Sequence, residues 1–341
     1  MKLFFTIIFF LAFFNESFGQ CCAIGGGSPL AGDVSQGVLK DKQFEISSNY
    51  QFTHSTNFLT ERTRDTNFLE KFSSQYLYSR IAFGLSERLT MSIELGYWLE
   101  KNQVGLVGRD SYLSKGISDL ILFPRYNIIK SGAQNKFTEL TFGMGFKIPL
   151  GSFNDSIGMI EPFSGETLYS TKPPAVQATS GAHDLIFRLF YSGGIPSSRF
   201  KLSANAVYIL KGWNPLGEKL GNYASFGIFI GRTFFEKMNA VIQIKSEWID
   251  KMRINSDLMM VSFPNYDPEA TGSKKIFIAP QLSYLLQNRF TFFLQSEFPI
   301  YQQVNKTQIA SQTQFTIGLT YRFMAKNSGI INPTIVIPPG S

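Results

Sequence analysis

The sequence predicts an all-β fold, a single antiparallel transmembrane β-barrel of about 12 strands. Three observations lead to this prediction: a secretory signal at the N-terminus, a hydrophobic period of two along most of the chain, and links between strands that alternate long and short. The competing fold is a soluble sandwich with an aromatic core, but its strands are usually shorter than the segments found in this chain.

Residues 1–19 have the features of a secretory signal peptide. Lys2 is followed by an apolar run over residues 3–14, and the small residues Ser17 and Gly19 precede a cleavage site before Gln20. The apolar run is too short to span a bilayer as a helix. A lipoprotein fits less well, because its cysteine normally follows a small residue. The mature chain is therefore periplasmic, secreted or, if it forms a barrel, located in the cell outer membrane.

Residues 20–41 are predicted to be a flexible Gly-rich leader that contains Cys21 and Cys22. Two adjacent cysteines cannot form a disulfide framework. They could bind a soft metal such as Cu(I), form a strained vicinal disulfide, pair between chains, or have no ligand at all. No cofactor is otherwise expected.

Residues 42–323 contain the strands. In residues 89–99 the apolar Met91, Ile93 and Leu95 alternate with Ser92 and Glu94, as in a strand with one face in lipid. Twelve such segments lie near 42–53, 74–85, 88–99, 117–129, 137–149, 184–193, 199–211, 223–233, 237–248, 275–286, 289–300 and 308–323. An even number places both termini on the same side of the membrane.

The links support a barrel. Those after odd-numbered strands are long, near 54–73, 100–116, 150–183, 212–222 and 249–274, whereas those after even-numbered strands are short, such as Ser86-Glu87. Outer-membrane barrels have long external loops and tight periplasmic turns. The last link, near 301–307, is shorter than this rule predicts.

Aromatic residues near strand ends predict girdles at the membrane interfaces. They are Tyr97, Trp98, Tyr126, Tyr191, Tyr208, Trp213, Trp248, Tyr284 and Tyr321. Pro124 and Pro280 fall inside predicted strands and remove a hydrogen-bond donor there. A β-bulge could accommodate each, or the strand boundaries differ from those predicted.

Charged residues fall on the faces predicted to line the lumen, because exposure of Arg or Lys to lipid at mid-depth costs about 2–4 kcal/mol. The candidates are Arg80, Glu94, Asp119, Arg125, Glu139, Lys147, Asp184, Arg188, Lys245, Glu247, Glu297 and Arg322. Their mixed signs fit either a network that plugs the lumen or a narrow polar path.

Three short motifs resemble a known family. They are Gly116-Ile117-Ser118-Asp119-Leu120 followed by Arg125-Tyr126, the strand end from Gly145 to Gly151, and the polar segment from Gln177 to Asp184. Together they resemble the transporter-type outer-membrane barrels of the family named for the MetA pathway of phenol degradation. The resemblance implies movement of small, often hydrophobic, compounds across the outer membrane.

Features of an enzyme or a nucleic-acid binder are scarce. His54 and His183 are the two histidines, and His183 and Asp184, as neighbours near a strand, should point to opposite faces. The Lys and Arg residues are scattered without a basic run, which argues against nucleic acid. We therefore expect a protein that is not an enzyme and whose partners are outer-membrane lipid and a small solute.

The expected function is that of a passive channel, transporter or binder for a small solute. The alternative is a non-transporting structural barrel that anchors a partner through its loops or tails. Residues 324–341 form a C-terminal tail with a β-prone run at 334–337. This tail is either disordered or functional, and the barrel is expected to fold without it.

Overall fold

The computed structural model describes residues 37–66, 69–105, 111–133, 136–160, 165–195, 200–235, 237–255 and 268–325. The predictions on the signal peptide, Cys21, Cys22 and the tail beyond Ala325 lie outside these residues. In the described part of the chain, no helix is long and apolar enough to cross a membrane.

Twelve long strands form a closed antiparallel barrel, as predicted. They are β1 (Gln43–Ser55), β2 (Leu69–Gly84), β3 (Leu89–Gly105), β4 (Tyr112–Ala133), β5 (Lys136–Pro149), β6 (Asp184–Ile195), β7 (Phe200–Leu210), β8 (Tyr223–Phe234), β9 (Met238–Ile249), β10 (Ser273–Leu286), β11 (Phe290–Val304) and β12 (Gln314–Met324). Each strand pairs with its neighbours in sequence, and β1 pairs with β12 to close the barrel.

The two ends of the barrel differ. One end, called the loop end, carries the links after odd-numbered strands, and the other, the turn end, carries the short links. Three small sheets lie among the loop-end links; they pair Phe58–Thr60 with Thr63–Asp65 and Thr307–Ile309, Ser156–Ile160 with Thr167–Thr171, and Glu218–Lys219 with Arg253–Ile254.

Several strands extend further towards the loop end than predicted. Strand β3 continues to Gly105 and β4 begins at Tyr112, so the predicted link 100–116 shortens to 106–111. Strand β11 likewise continues to Val304, but β12 begins only at Gln314, so the last link lies at 305–313 rather than 301–307. The extension of β3 contains Glu100, Lys101 and Asn102 in succession. The part of a barrel strand that lies beyond the membrane does not need an apolar outer face. The hydrophobic period of two therefore ends before the strand itself does.

The outer surface of the barrel is apolar. On β3, Met91 and Ile93 are 40% and 54% exposed, whereas the alternate residues Thr90, Ser92 and Glu94 are at most 2% exposed. The other barrel strands show the same arrangement, with exposed aliphatic and aromatic side chains such as Ile242 and Ile317. An apolar surface of this extent is unfavourable in water and favourable in a bilayer.

Both prolines lie within continuous strands. Pro124 is opposite Met91, and Pro280 is opposite Ile242. The register shifts nearest to them occur elsewhere, between Asn127 and Ile129 and between Ile276 and Phe277. Each proline therefore lacks one ladder donor without a bulge and without ending its strand, so both explanations expected from the sequence were wrong.

Five aromatic side chains form a continuous row on the outer surface at the turn end. Ring centroids are 4.5 Å apart for Phe83 and Phe44, 5.3 Å for Phe44 and Phe323, 5.2 Å for Phe323 and Tyr321, and 4.5 Å for Tyr321 and Phe290. The row crosses the seam where β1 meets β12. Aromatic contacts therefore reinforce the closure of the barrel.

We expect the chain to fold after truncation at Ala325, because β12 already ends at Met324. Phe323→Ala should instead weaken closure, since each aromatic contact that it removes is worth about 0.5–1.5 kcal/mol. Heat-modifiable gel mobility measures the folded fraction of both variants. Loss of the folded band on truncation would show that the tail belongs to the barrel.

Candidate functional site in the barrel lumen

The inward side chains divide the lumen into two cavities. Along β6, Asp184 and Ile186 line a cavity at the loop end, and Phe190 and Ser192 line one at the turn end. Arg188, which lies between these pairs, lines neither cavity and is 2% exposed. The same order holds along β4, where Asp119 and Ile121 line the loop-end cavity, Phe123 lines neither and Arg125 lines the turn-end cavity. We call Glu94, Phe123 and Arg188 the central belt.

The central belt is a buried ion pair packed on an aromatic ring. Two hydrogen bonds of 3.0 Å run from the Arg188 guanidinium to the two carboxylate oxygens of Glu94. Strands β4 and β5 separate β3 from β6 in the wall, so the pair spans part of the lumen. The Arg188 guanidinium lies 4.2 Å from the centroid of the Phe123 ring. Bidentate geometry and cation–π contact both favour a fixed position for Arg188.

Glycines in the wall make room for the aromatic rings. A Cβ atom on Gly143 or Gly145 of β5 would lie 2.5 or 2.3 Å from the Phe123 ring, and one on Gly318 of β12 would lie 2.1 Å from the Phe293 ring. These rings therefore lie directly against the inner wall. Any larger residue at these glycines would push the rings further into the lumen.

The loop-end cavity has a volume of about 1950 Å³, including space open to solvent. Asp184 is central to its first charge cluster: its carboxylate lies 2.9 Å from the Lys147 ammonium and 3.0 Å from that of Lys211, and it accepts a hydrogen bond from the backbone N–H of Gly212. In a second cluster, the Lys245 ammonium lies 2.8 Å from Glu247 and 2.6 Å from Glu297. The rest of the wall includes the apolar Ile121, Ile186, Val207, Ile209 and Phe277.

The end of the 150–183 link packs against residues that line this cavity. Val176 and Ala178 are 0% and 3% exposed. The Trp98 indole donates a hydrogen bond to the Ala178 carbonyl at 2.9 Å, and the Lys101 ammonium donates one to the Gln177 carbonyl at 2.8 Å. Trp98 thus points into the lumen, and its predicted place in the interfacial girdle was wrong. It continues the inward series of Thr90, Ser92, Glu94 and Gly96 along β3, so the alternation itself points it into the lumen.

Further polar contacts connect the end of the 150–183 link to the barrel wall. Thr179 donates to the Asp119 carboxylate, and the Lys147 ammonium lies 2.9 Å from the Ser180 hydroxyl. On the neighbouring link, Asn214 donates from one amide nitrogen to the Ser180 carbonyl and to the Glu218 carboxylate. Burial raises the pKa of Glu218 above its ordinary value, although the hydrogen bond from Asn214 opposes this shift. The end of the 150–183 link therefore contacts Lys147 of the first cluster and Asp119, which lies 3.3 Å from the Lys147 ammonium.

The turn-end cavity has a volume of about 1000 Å³, including space open to solvent, and is lined in part by residues 37–40. The backbone N–H of Leu39 donates to the Thr90 hydroxyl at 2.8 Å, and that of Val38 donates to Glu139 at 3.3 Å. A Cβ atom on Gly37 would lie 2.3 Å from a Glu139 carboxylate oxygen, so a larger residue there would displace the end of the Glu139 side chain. The last residues of the predicted leader therefore lie against the inner wall.

Glu45 on β1 organises the polar groups beside this cavity, and the sequence interpretation missed it. One of its carboxylate oxygens lies 2.6 Å from the Arg80 guanidinium, and the other lies 2.6 Å from that of Arg322. Alternation with the polar Ser47 and Asn49 along β1 is the signal that could have identified it.

The structure places the twelve candidate lumen residues as follows. Asp119, Lys147, Asp184, Lys245, Glu247 and Glu297 line the loop-end cavity; Arg125, Glu139 and Arg322 line the turn-end cavity; Glu94 and Arg188 form the central pair; and Arg80 binds Glu45. Glu139 accepts a hydrogen bond from the Asn127 side chain at 2.9 Å.

The one His-Asp neighbour pair is split between the two faces of the wall. His183 is exposed and stacks on Phe146 with ring centroids 5.3 Å apart, whereas Asp184 is 1% exposed and points inward. This is the arrangement predicted for adjacent residues near a strand. Within the described ranges, no three His, Cys, Asp or Glu residues are grouped closely enough to hold a metal ion.

Comparison with known proteins supports the fold. No protein-family model matches the sequence, and no curated protein matches it. An outer-membrane channel from Pseudomonas putida F1 superimposes with a TM-score of 0.62 at 10% identity, over 85% of this chain and 98% of that chain. The translocator domain of the autotransporter NalP from Neisseria meningitidis gives 0.47 at 14% identity over 84% and 90%, and a mutant of the TodX monoaromatic hydrocarbon channel gives 0.42 at 10% identity over 85% and 91%. The superposition on the Pseudomonas putida channel shows that the chain has the fold of an outer-membrane β-barrel.

Proposed function

We propose that the chain is an outer-membrane β-barrel that gives passage to, or binds, a small solute. The observation that carries this proposal is a closed barrel with an apolar outer surface and a lumen that contains a cavity near each end. The superimposed barrel from Pseudomonas putida is described as a channel. The signal peptide expected at residues 1–19 supports export to the outer membrane.

The walls of the loop-end cavity suggest a small, partly hydrophobic solute. Its two charge clusters are paired internally, and the rest of the surface includes Ile186, Val207 and Phe277. Apolar walls with a few fixed polar groups are typical of small-molecule sites. The motifs that resemble the phenol-degradation family support the same class of solute, and in this proposal the protein binds or passes it without chemistry.

A second candidate is a structural barrel that anchors a partner and transports nothing. The central belt favours it, because Glu94, Phe123 and Arg188 are almost fully buried between the two cavities. The segment 37–40 at the turn end favours it as well. Conductance distinguishes the two candidates.

We expect purified protein in planar bilayers to conduct weakly, and a variant that lacks residues 20–41 to conduct more, because the deletion removes Val38 and Leu39 from the inner wall. A matched deletion of residues 20–36 keeps that segment and should leave the conductance near that of the full chain. If neither the full chain nor either deletion passes any ion, and liposome swelling detects no solute, the transport proposal is wrong and the structural barrel is favoured.

Orientation gives a further prediction, because long loops of outer-membrane barrels are external. Lys251 and Arg253 are exposed in a long link at the loop end, and Arg88 is exposed at the turn end. Trypsin added to intact cells should therefore cleave after Lys251 or Arg253 and spare Arg88 until the cells are permeabilised. Cleavage after Arg88 in intact cells would mean that the orientation is reversed.

A further inference from the structure

The linings of the two cavities meet on one side of the lumen. On β6 the inward Arg188 separates the two linings, and on β4 the inward Phe123 separates them. On β7, Asn205 and Val207 are successive inward residues; Asn205 lines the turn-end cavity and Val207 lines the loop-end cavity. Of the strands that line both cavities in the described part of the chain, β7 is therefore the one with no inward side chain between the two linings.

On the next strand, a glycine occupies the position between the cavities. Along β8, Ser225 lines the loop-end cavity, Phe229 lines the turn-end cavity, and Gly227 lies between them. Gly227 is opposite Asn205 in the register of β7 and β8. A Cβ atom at Gly227 would lie 2.7 Å from the Oδ1 atom of Asn205 and 2.7 Å from the Nε2 atom of Gln243, on β9. Two amide side chains from the flanking strands therefore converge over this glycine.

The two amides are buried without partners in the protein. Asn205 and Gln243 are 6% and 7% exposed. Among the described residues neither side chain makes a hydrogen bond, although each has a donor and an acceptor. Their polar atoms reach open space, since the polar atoms that are both fully enclosed and unpaired belong to other residues. Buried polar groups that the protein does not satisfy are satisfied by water or a ligand, so these amides face water or a solute.

We propose that a hydrated neck bounded by Asn205, Gly227 and Gln243 joins the two cavities, and that solute passes through this neck instead of through the central belt. The central belt is a poor route, because two hydrogen bonds to a buried carboxylate fix the Arg188 guanidinium there. Opening it would break a buried ion pair. The amides of the neck are neutral and can turn aside without separating charges. As an account of passage, the inference rests on the function proposed above.

Cysteine labelling tests whether the neck is hydrated. The reagent is a small methanethiosulfonate that carries a quaternary ammonium, and the protein is the mature chain in lipid vesicles with Cys21 and Cys22 replaced by serine. Gln243→Cys should react, because a thiol that water reaches is open to the reagent. Ser92→Cys is the matched control and should be protected, since Ser92 is inward, lies on β3 beside the central belt and is 2% exposed. Neither residue lines a cavity, so labelling reports on the region between the cavities.

A second probe covers the case in which Gln243→Cys does not fold. Gly227→Cys should also react, and its side chain would meet first the ends of two flexible amides, which can move. Protection of both neck cysteines, or labelling of Ser92→Cys to the same extent, would overturn the inference.

Ion selectivity tests whether the neck carries the flow. Asn205→Asp places a carboxylate in the neck and should shift the reversal potential in a salt gradient towards cation selectivity. Asn239→Asp is the matched control, because Asn239 accepts a hydrogen bond from Thr233 and lines neither cavity, and it should leave the reversal potential near that of the unchanged protein. An unchanged reversal potential for Asn205→Asp in a conducting barrel would overturn the inference. Labelling of the neck in a barrel that passes no ion or solute would instead contradict the proposed function, while the neck itself would be hydrated as inferred.

Discussion

Replacing Glu94 with glutamine is expected to lower the free energy of unfolding by about 3–5 kcal/mol, the usual cost of breaking a buried ion pair by removing one partner. Arg188 would keep its charge in the middle of the lumen, where it is 2% exposed. The Phe123 ring beside it offers a cation–π contact but no negative charge. Denaturant titration of the protein refolded in lipid vesicles measures the change.

Two further variants separate loss of the ion pair from a general effect of mutation. The double variant Glu94→Gln/Arg188→Gln should recover part of the loss, because it leaves no buried charge. Glu87→Gln removes one partner of the Lys130–Glu87 pair, whose side chains are 50% and 65% exposed, and should cost less than about 1 kcal/mol. Equal losses for Glu94→Gln and Glu87→Gln would show that the lumen pair is not buried in the bilayer-embedded protein.

Ile242→Arg is expected to reduce the folded fraction sharply, since an arginine facing lipid at mid-depth costs about 2–4 kcal/mol. Ile242 lies on the outer surface of β9 and is 54% exposed. Gln243, the next residue, points inward and is 7% exposed, so Gln243→Arg places the same side chain in the lumen. Folding yield in vesicles, read by heat-modifiable mobility, should be much lower for Ile242→Arg.

Ile93→Arg on β3 should repeat this loss, because Ile93 has the same 54% exposure. Its neighbour Ser92 is a poor control, since its hydroxyl donates to the Phe123 carbonyl at 3.0 Å and the side chain is 2% exposed. Arginine at Ser92 would overfill the lumen instead of reporting on lipid contact. Equal folding yields for Ile242→Arg and Gln243→Arg would mean that the outer surface does not face lipid.

The sequence by itself determined the number of strands and, where a segment was recognised as alternating, the face on which most of its side chains lie. Both follow from the period of two along each strand. Lipid outside the barrel and polar groups inside it require alternate residues of a strand to be apolar and polar. Ile93 and Glu94 could therefore be assigned to opposite faces without knowledge of any other strand. The positions at which strands end at the loop end could not be predicted in this way. Beyond the membrane neither face of a strand has to be apolar, as Glu100 and Lys101 show.

Only the tertiary structure decided which inward residues meet. Glu94 and Arg188 lie 94 positions apart in sequence, and their contact depends on how barrel closure places β3 and β6 around the lumen. Trp98 is a second example, because it donates a hydrogen bond to a carbonyl of the 150–183 link, which has no hydrophobic period. Leu39 is a third, because it lies on the inner wall although its segment has the composition of a flexible leader. Local alternation fixes the direction of a side chain relative to its own strand, whereas contacts across the lumen depend on the register, tilt and closure of all twelve strands.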